Sequence, residues 1–201
     1  IYGFSHTHLS GTGISDYGDI LLLPLVDDGL PAGRKAARFQ HQNETASPGY
    51  YSVRLDDGNI LVELTATARV GMHRYTFPRG HAANVMLDLT HRDKVIDARF
   101  RFVNRNTIVG WRRSQAWARD QVVYFALEFS QPFMGFAGSS NQQKGYFRFD
   151  LNPGEPLLVK VGISSVDIEG AQKNLKTELN HWNFDKVRAD AKAAWNTELN
   201  K

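Results

Sequence analysis

Short alternating runs of apolar and polar residues dominate the first five-sixths of this 201-residue chain. Tyr50 to Leu55 (YYSVRL), Ile60 to Ala66 (ILVELTA) and Arg69 to Phe77 (RVGMHRYTF) repeat with a period of two, which places alternate side chains on opposite faces of a strand. Asp56-Asp57-Gly58-Asn59 between the first two contains a D-G pair, a strong short-range hairpin signal. Asn84 to Leu89, Val95 to Val103, Thr107 to Trp111, Gln121 to Phe129, Gly145 to Asp150 and Pro156 to Val166 also read as strands, as do Asp19 to Leu25 and the shorter Ala37 to His41. Between them stand turn and loop segments: Asp27 to Gly33, Asn104-Arg105-Asn106, Phe136 to Asn141 and Asn152-Pro153-Gly154. Many short strands joined by hairpin turns, with no helical crossover before residue 167, predict an antiparallel β-sandwich or barrel.

The pattern then changes period. Asp167 to Leu179 sets Ala171, Leu175 and Leu179 four apart, and Asp185 to Leu199 repeats this with Val187, Ala191, Trp195 and Leu199. Both segments are predicted amphipathic helices with one apolar stripe, the second capped by Asp185. The expected organisation is a mainly β domain over 1–166 followed by two C-terminal α-helices over 167–201, the helical stripes packing on the sandwich, on each other or on a further segment.

Composition narrows the classes of function. The 24 Lys and Arg are dispersed among 21 Asp and Glu, so a net charge of +3 comes without a basic stripe, and no nucleic-acid partner is expected. The chain has no cysteine, which rules out disulfides and thiolate metal sites. No apolar run is long enough for a membrane-spanning helix. The chain opens on Ile1, which reads as a processed or excised piece.

The densest chemistry is in the opening stretch, IYGFSHTHLSGTGISDYG. It brings together Phe4, Ser5, His6, Thr7, His8 and the glycines Gly3, Gly11 and Gly13. An H-x-H can place two imidazoles on one side of an extended segment as metal ligands, with Asp16, Asp19 or His91 as a third. Alternatively, the histidines satisfy loop carbonyls, or they hydrogen-bond a sugar beside the flat face of Phe4. Ser114 to Asp120 offers Trp117 near Arg112, Arg113 and Arg119, either as a sugar-stacking set or as a Trp packed on the end of the sandwich. Thr90 to Asp93 reads as a charged turn. There is no G-x-S-x-G elbow, no phosphate-binding Gly loop opening a helix, and no recognisable pair of catalytic carboxylates.

Tyr2 to Pro24 (YGFSHTHLSGTGISDYGDILLLP) resembles the signature of glycoside hydrolase family 92, the bacterial exo-acting α-mannosidases. The resemblance continues through SPGYYSVRL (47–55), ELTATARVGMHRYTFP (63–78), LDLTHRD (87–93), WRRSQAWARDQVVYF (111–125), KVGISSVDIEGAQKNL (160–175) and AAWNTEL (193–199). It implies an N-terminal sandwich of the galactose-mutarotase-like supersandwich kind, joined by linker helices to an (α/α) barrel that lies outside this chain. It also implies calcium-dependent, inverting hydrolysis of α-mannosides, α-1,2 linkages among them, with acid, base and Ca2+ supplied by that barrel. The implied partners are mannose-containing glycans and the barrel, and the implied address is periplasmic or secreted. No catalytic or metal residue is carried onto this chain. Phe4, Ser5, His6, His8 and Trp117 are the expected substrate contacts, and the chain alone is expected to be inactive. The alternative from another class is a free-standing carbohydrate-binding sandwich.

Overall fold

The computed structural model describes residues 1–9, 13, 17–26, 36–79 and 82–201. The expected turn at Asp27 to Gly33, the glycine-rich tip of the opening stretch at 10–12, and Asp16 lie outside these residues. In chain order the strands are β1 (Leu21–Val26), β2 (Phe39–Ser47), β3 (Tyr50–Leu55), β4 (Ile60–Ala66), β5 (Val70–Thr76) and β6 (Ala83–Asp88). They continue as β7 (Lys94–Phe102), β8 (Thr107–Gln115), β9 (Gln121–Phe129), β10 (Gly135–Gly138), β11 (Lys144–Phe149) and β12 (Leu157–Ser164), followed by α1 (Ile168–Glu178) and α2 (Phe184–Leu199).

The strands form two antiparallel sheets, ordered β1-β6-β11-β10 and β2-β3-β4-β5-β12-β9-β8-β7. Their facing sides enclose the main core, in which Leu23, Val85 and Phe147 of the smaller sheet meet Val62, Tyr75, Phe125 and Val159 of the larger. Alternation explains the packing: on β9, Val123, Phe125, Leu127 and Phe129 point inward at every second position. Both edge strands of the larger sheet carry a register shift, between Phe39 and Glu44 on β2 and between Val95 and Asp97 on β7.

The central strands of the larger sheet are apolar on their outer side too, because the helices cover them. Val70, Met72, Val109 and Ala126 form a second core with Ala171, Leu175, Leu179, Phe184 and Val187. Close approach is possible because residue 162 is glycine; a Cβ there would lie 2.6 Å from the Ala171 carbonyl oxygen and 2.8 Å from Leu175 Cβ. The Asp167 carboxylate caps α1 by accepting the Gly170 amide at 2.6 Å. The cap of α2 is Asn183, which accepts from the Lys186 amide at 3.0 Å, whereas Asp185, the expected cap, lies in the first turn. There its carboxylate accepts from Arg74.

Polar contacts pin the helices further. Arg74 joins Glu63 at 2.6 Å and lies 4.3 Å over the Phe184 ring. Lys160 donates to the Leu179 carbonyl at 3.1 Å and sits 3.9 Å over Trp182. The far half of the α2 stripe is uncovered, with Trp195 50% and Leu199 64% exposed.

Three strand boundaries differ from expectation for identifiable reasons. The edge strand β2 runs to Ser47 although it is polar on both faces, so it has no apolar alternation to reveal it. The β10 strand falls in a segment expected to be a loop; Phe136 pairs with Phe147 of β11 there. The β8 strand extends through Gln115 because its inward positions are taken by Arg112 and Ser114.

Candidate functional site

The opening segment is extended rather than coiled. It runs antiparallel to the residues that lead into β1, through isolated bridges Phe4–Leu22 and His8–Tyr17. The His6 amide donates to the Asp19 carbonyl at 2.9 Å, and the Gly18 amide to the Thr7 carbonyl at 3.2 Å. From Phe4 to His6 the side chains alternate. Phe4 enters the main core, His6 lies on the inner face of β5, and Ser5 and His8 are exposed.

Two buried polar assemblies hold this segment. In the first, Asp19 and Arg112 form an ion pair at zero exposure. The second carboxylate oxygen of Asp19 accepts from Thr7 Oγ1 and from Gln121 Nε2, each at 2.7 Å. Arg112 donates its remaining N–H groups to the carbonyls of Leu89, His91 and Asp93 and to Ser114 Oγ. A guanidinium offers five donors in a rigid fork, and here they bind together the opening segment and the turn after β6. In that turn Asp88 also accepts from the Thr90 amide and hydroxyl. The Asp93 carboxylate accepts from the Tyr17 amide at 3.1 Å.

The second assembly is a relay of rings. His6 Nδ1 lies 2.6 Å from the Ile20 carbonyl oxygen, His6 Nε2 lies 3.0 Å from His73 Nε2, and His73 Nδ1 lies 2.6 Å from the Tyr75 hydroxyl. The two imidazoles stack at 4.9 Å. A carbonyl only accepts, so His6 carries its proton on Nδ1; its Nε2 then accepts from His73 Nε2–H, and His73 Nδ1 accepts from Tyr75 O–H. Burial drives the His6 pKa down to about 4, against the opposing pull of the Ile20 carbonyl, and drives that of His73 well below the usual histidine range. Both rings are neutral at pH 7.

Two clefts open beside this segment. The first, of about 810 Å³, is lined by His6, Thr7, His8, Tyr17, Gln121 and the Ser164–Asp167 turn into α1 among others. The second, of about 690 Å³, is lined by Ser5, His6, Tyr50, Tyr51, Thr65 and Trp195 among others. His6, Arg69 and Ile163 border both. The structure thus brings Ser5, His6 and His8 to one end of the sandwich. Phe4 faces the core at 8% exposure, so its ring is not offered to a ligand there. Trp117 stands on the β8–β9 turn at 72% exposure, packed on nothing that buries it. Its expected neighbour Arg112 points inward, while Arg113 pairs with Asp120 at 2.6 Å.

The metal-ligand alternative for H-x-H does not fit these positions. Both nitrogens of His6 are engaged, and among the described residues no group of three or more His, Asp or Glu side chains could hold a metal ion. Calcium requires about six to eight oxygen ligands, several of them carboxylate. Asp19, the buried acid of this region, is already satisfied by Arg112, Thr7 and Gln121. The described residues do not fit a calcium site.

The fold is therefore a two-sheet antiparallel sandwich with a helical pair on one outer face and a pinned polar segment beside two clefts. Residues 1–164 match the model of the glycosyl hydrolase family 92 N-terminal domain, and the chain belongs to that family. It is similar to a family GH92 alpha-mannosidase of Bacteroides thetaiotaomicron, at 32% identity and a TM-score of 0.89, over 99% of this chain and 31% of that one. A structure of that enzyme in complex with mannoimidazole gives the same TM-score, 0.89, at the same 32% identity, over 99% of this chain and 30% of that one. An uncharacterized secreted glycosidase of Arthroderma benhamiae is 26% identical over 99% of this chain and 31% of its own length. The chain thus spans about a third of the length of these relatives. No helix among the described residues is long and apolar enough to cross a membrane.

Proposed function

We propose that this chain is the N-terminal domain of a secreted or periplasmic exo-acting α-mannosidase, calcium-dependent and inverting, that removes α-1,2-linked mannose from glycans. In this reading the sandwich supplies part of the wall of the sugar pocket and an interface for a catalytic (α/α) barrel, which provides the acid, the base and Ca2+. An inverting reaction needs one carboxylic acid to protonate the leaving oxygen and a second carboxylate to activate water on the opposite face of the sugar. The contribution of this chain's residues is to bind and orient.

The observation that carries the proposal is the pinning of the opening segment. Buried assemblies fix its backbone, yet leave the Ser5 hydroxyl and the His8 imidazole exposed beside the clefts. Such groups give directional hydrogen bonds to sugar hydroxyls. In the full-length protein, His8→Ala and Ser5→Ala are expected to raise KM for an α-mannoside with little change in melting temperature. Unchanged KM and kcat in both variants would remove these residues from the pocket.

A further inference from the structure

We infer that His73 and Tyr75 are positioning residues for the sugar-facing rim, acting through His6 to hold the Ser5–His8 segment beside the clefts. This rests on the proposal that the rim contacts substrate; the geometry of the relay does not depend on it.

Three observations converge on the relay. First, its direction is fixed from the carbonyl end: the Ile20 oxygen, His6, His73 and the Tyr75 hydroxyl can be satisfied together in only one arrangement of protons when both rings are neutral. Second, Ile20 holds φ at +54°, a left-handed conformation that is costly for a β-branched residue and that persists only where its surroundings enforce it. The bond from His6 is received by the carbonyl of this same residue. Third, Gly71 leaves room for the His6 ring; a Cβ at that position would lie 2.8 Å from His6 Cδ2. Strand β5 thus supplies a slot at Gly71, a ring at His73 and a donor at Tyr75, in register on one face of the sheet.

The relay also makes the rim sensitive to acid. The groups that meet the two rings are the Ile20 carbonyl, from the residues that lead into β1, and the Tyr75 hydroxyl from β5; neither ring has a carboxylate partner. A first added proton reverses the Tyr75 bond and brings an uncompensated charge into the core. A second would set two N–H groups against each other across the 3.0 Å gap between the Nε2 atoms. The first event leaves every bond of the relay in place, so it is the second that frees His6 from β5, and the rim with it.

The test has two parts. On this chain, nitrogen–proton correlation spectra of the imidazoles should show His6 as the Nδ1–H tautomer and His73 as the Nε2–H tautomer, with the His73 preference kept in Tyr75→Phe and lost in His6→Leu, where only a hydroxyl that can donate or accept remains. Finding His6 as the Nε2–H tautomer overturns the relay. In the full-length protein, Tyr75→Phe and His73→Leu should raise KM by about threefold to tenfold, the range of one hydrogen bond, with kcat nearly unchanged. His73→Gln, which can still donate to His6, should restore most of the loss. If His8→Ala raises KM while the His73 and Tyr75 variants only lower the melting temperature, the positioning role is overturned and the pocket reading stands. If His8→Ala and Ser5→Ala also leave KM and kcat unchanged, the pocket reading fails and this inference falls with it.

Discussion

Asp19 and Arg112, both fully withdrawn from solvent, form an ion pair that ties the opening segment to strand β8. Each is otherwise saturated with hydrogen bonds, so removing one partner strands a charge whose solvation was already given up. Arg112→Met is expected to destabilise the fold by roughly 3–5 kcal/mol, and Asp19→Asn by less, since the amide keeps some of the contacts. Replacing both should cost less than the two single losses added. Chemical denaturation midpoints decide this; a loss under about 1 kcal/mol for Arg112→Met would show that the pair contributes little.

Acid should weaken the fold through the two stacked histidines. His6 has a folded pKa of about 4 against an ordinary 6.5, so in the unfolded chain it takes up a proton at a higher pH than in the native one. Stability from the neutral ring is therefore fully present above about pH 6.5 and is lost as pH falls toward 4, amounting to at most about 3 kcal/mol because the ring borders open clefts. His73 shifts in the same direction and extends the loss to lower pH. Urea unfolding between pH 7 and 4 should show a decline that is reduced in His73→Leu; an identical slope in that variant would place the pH dependence elsewhere.

Gly162 predicts how tightly α1 sits on the sheet. Gly162→Ala introduces a methyl where the Ala171 carbonyl and Leu175 stand, and should cost about 1–3 kcal/mol by overpacking. Amide exchange should quicken in α1 before it quickens in β12. Uniform protection in the variant would mean that the helix yields without loss.

Trp117 should be dispensable for folding. At 72% exposure, Trp117→Ala is expected to change stability by less than about 0.5 kcal/mol. As a stacking surface for sugar it would weaken binding of a mannose polymer by about two- to tenfold. Equal retention of wild type and variant on a mannan matrix would leave the ring without that role.

The isolated chain should not hydrolyse aryl or disaccharide α-mannosides, with calcium or without it. Turnover by the purified chain that requires calcium would mean that the described sandwich is more than a pocket wall.

Period-two alternation made most strands legible, because their inner faces bury apolar side chains. It failed where burial did not follow polarity. Arg112 occupies an inward position that alternation reserves for an apolar residue, so β8 reads as ending at Trp111; its partner lies 93 residues away, beyond any local signal. Beyond Phe39 the β2 strand is almost entirely polar, as an edge strand can be. The opening stretch was conspicuous by composition, but its two extended arms are set by bridges to Tyr17 and Leu22 rather than by its own pattern. His73 and Tyr75 were visible only as members of a strand. That His73 meets His6 follows from the pairing of the sheet, which spacing does not encode.

The register shifts on β2 and β7 bear on how this domain behaves in company. An exposed edge offers a row of unpaired amides and carbonyls to any neighbouring chain. At both margins of the larger sheet the ladder is interrupted by a register shift, and polar or charged side chains line the strand: Gln40, His41 and Gln42 on β2, Lys94, Arg99 and Arg101 on β7. Both devices oppose the addition of a strand from a second copy at either margin of this sheet.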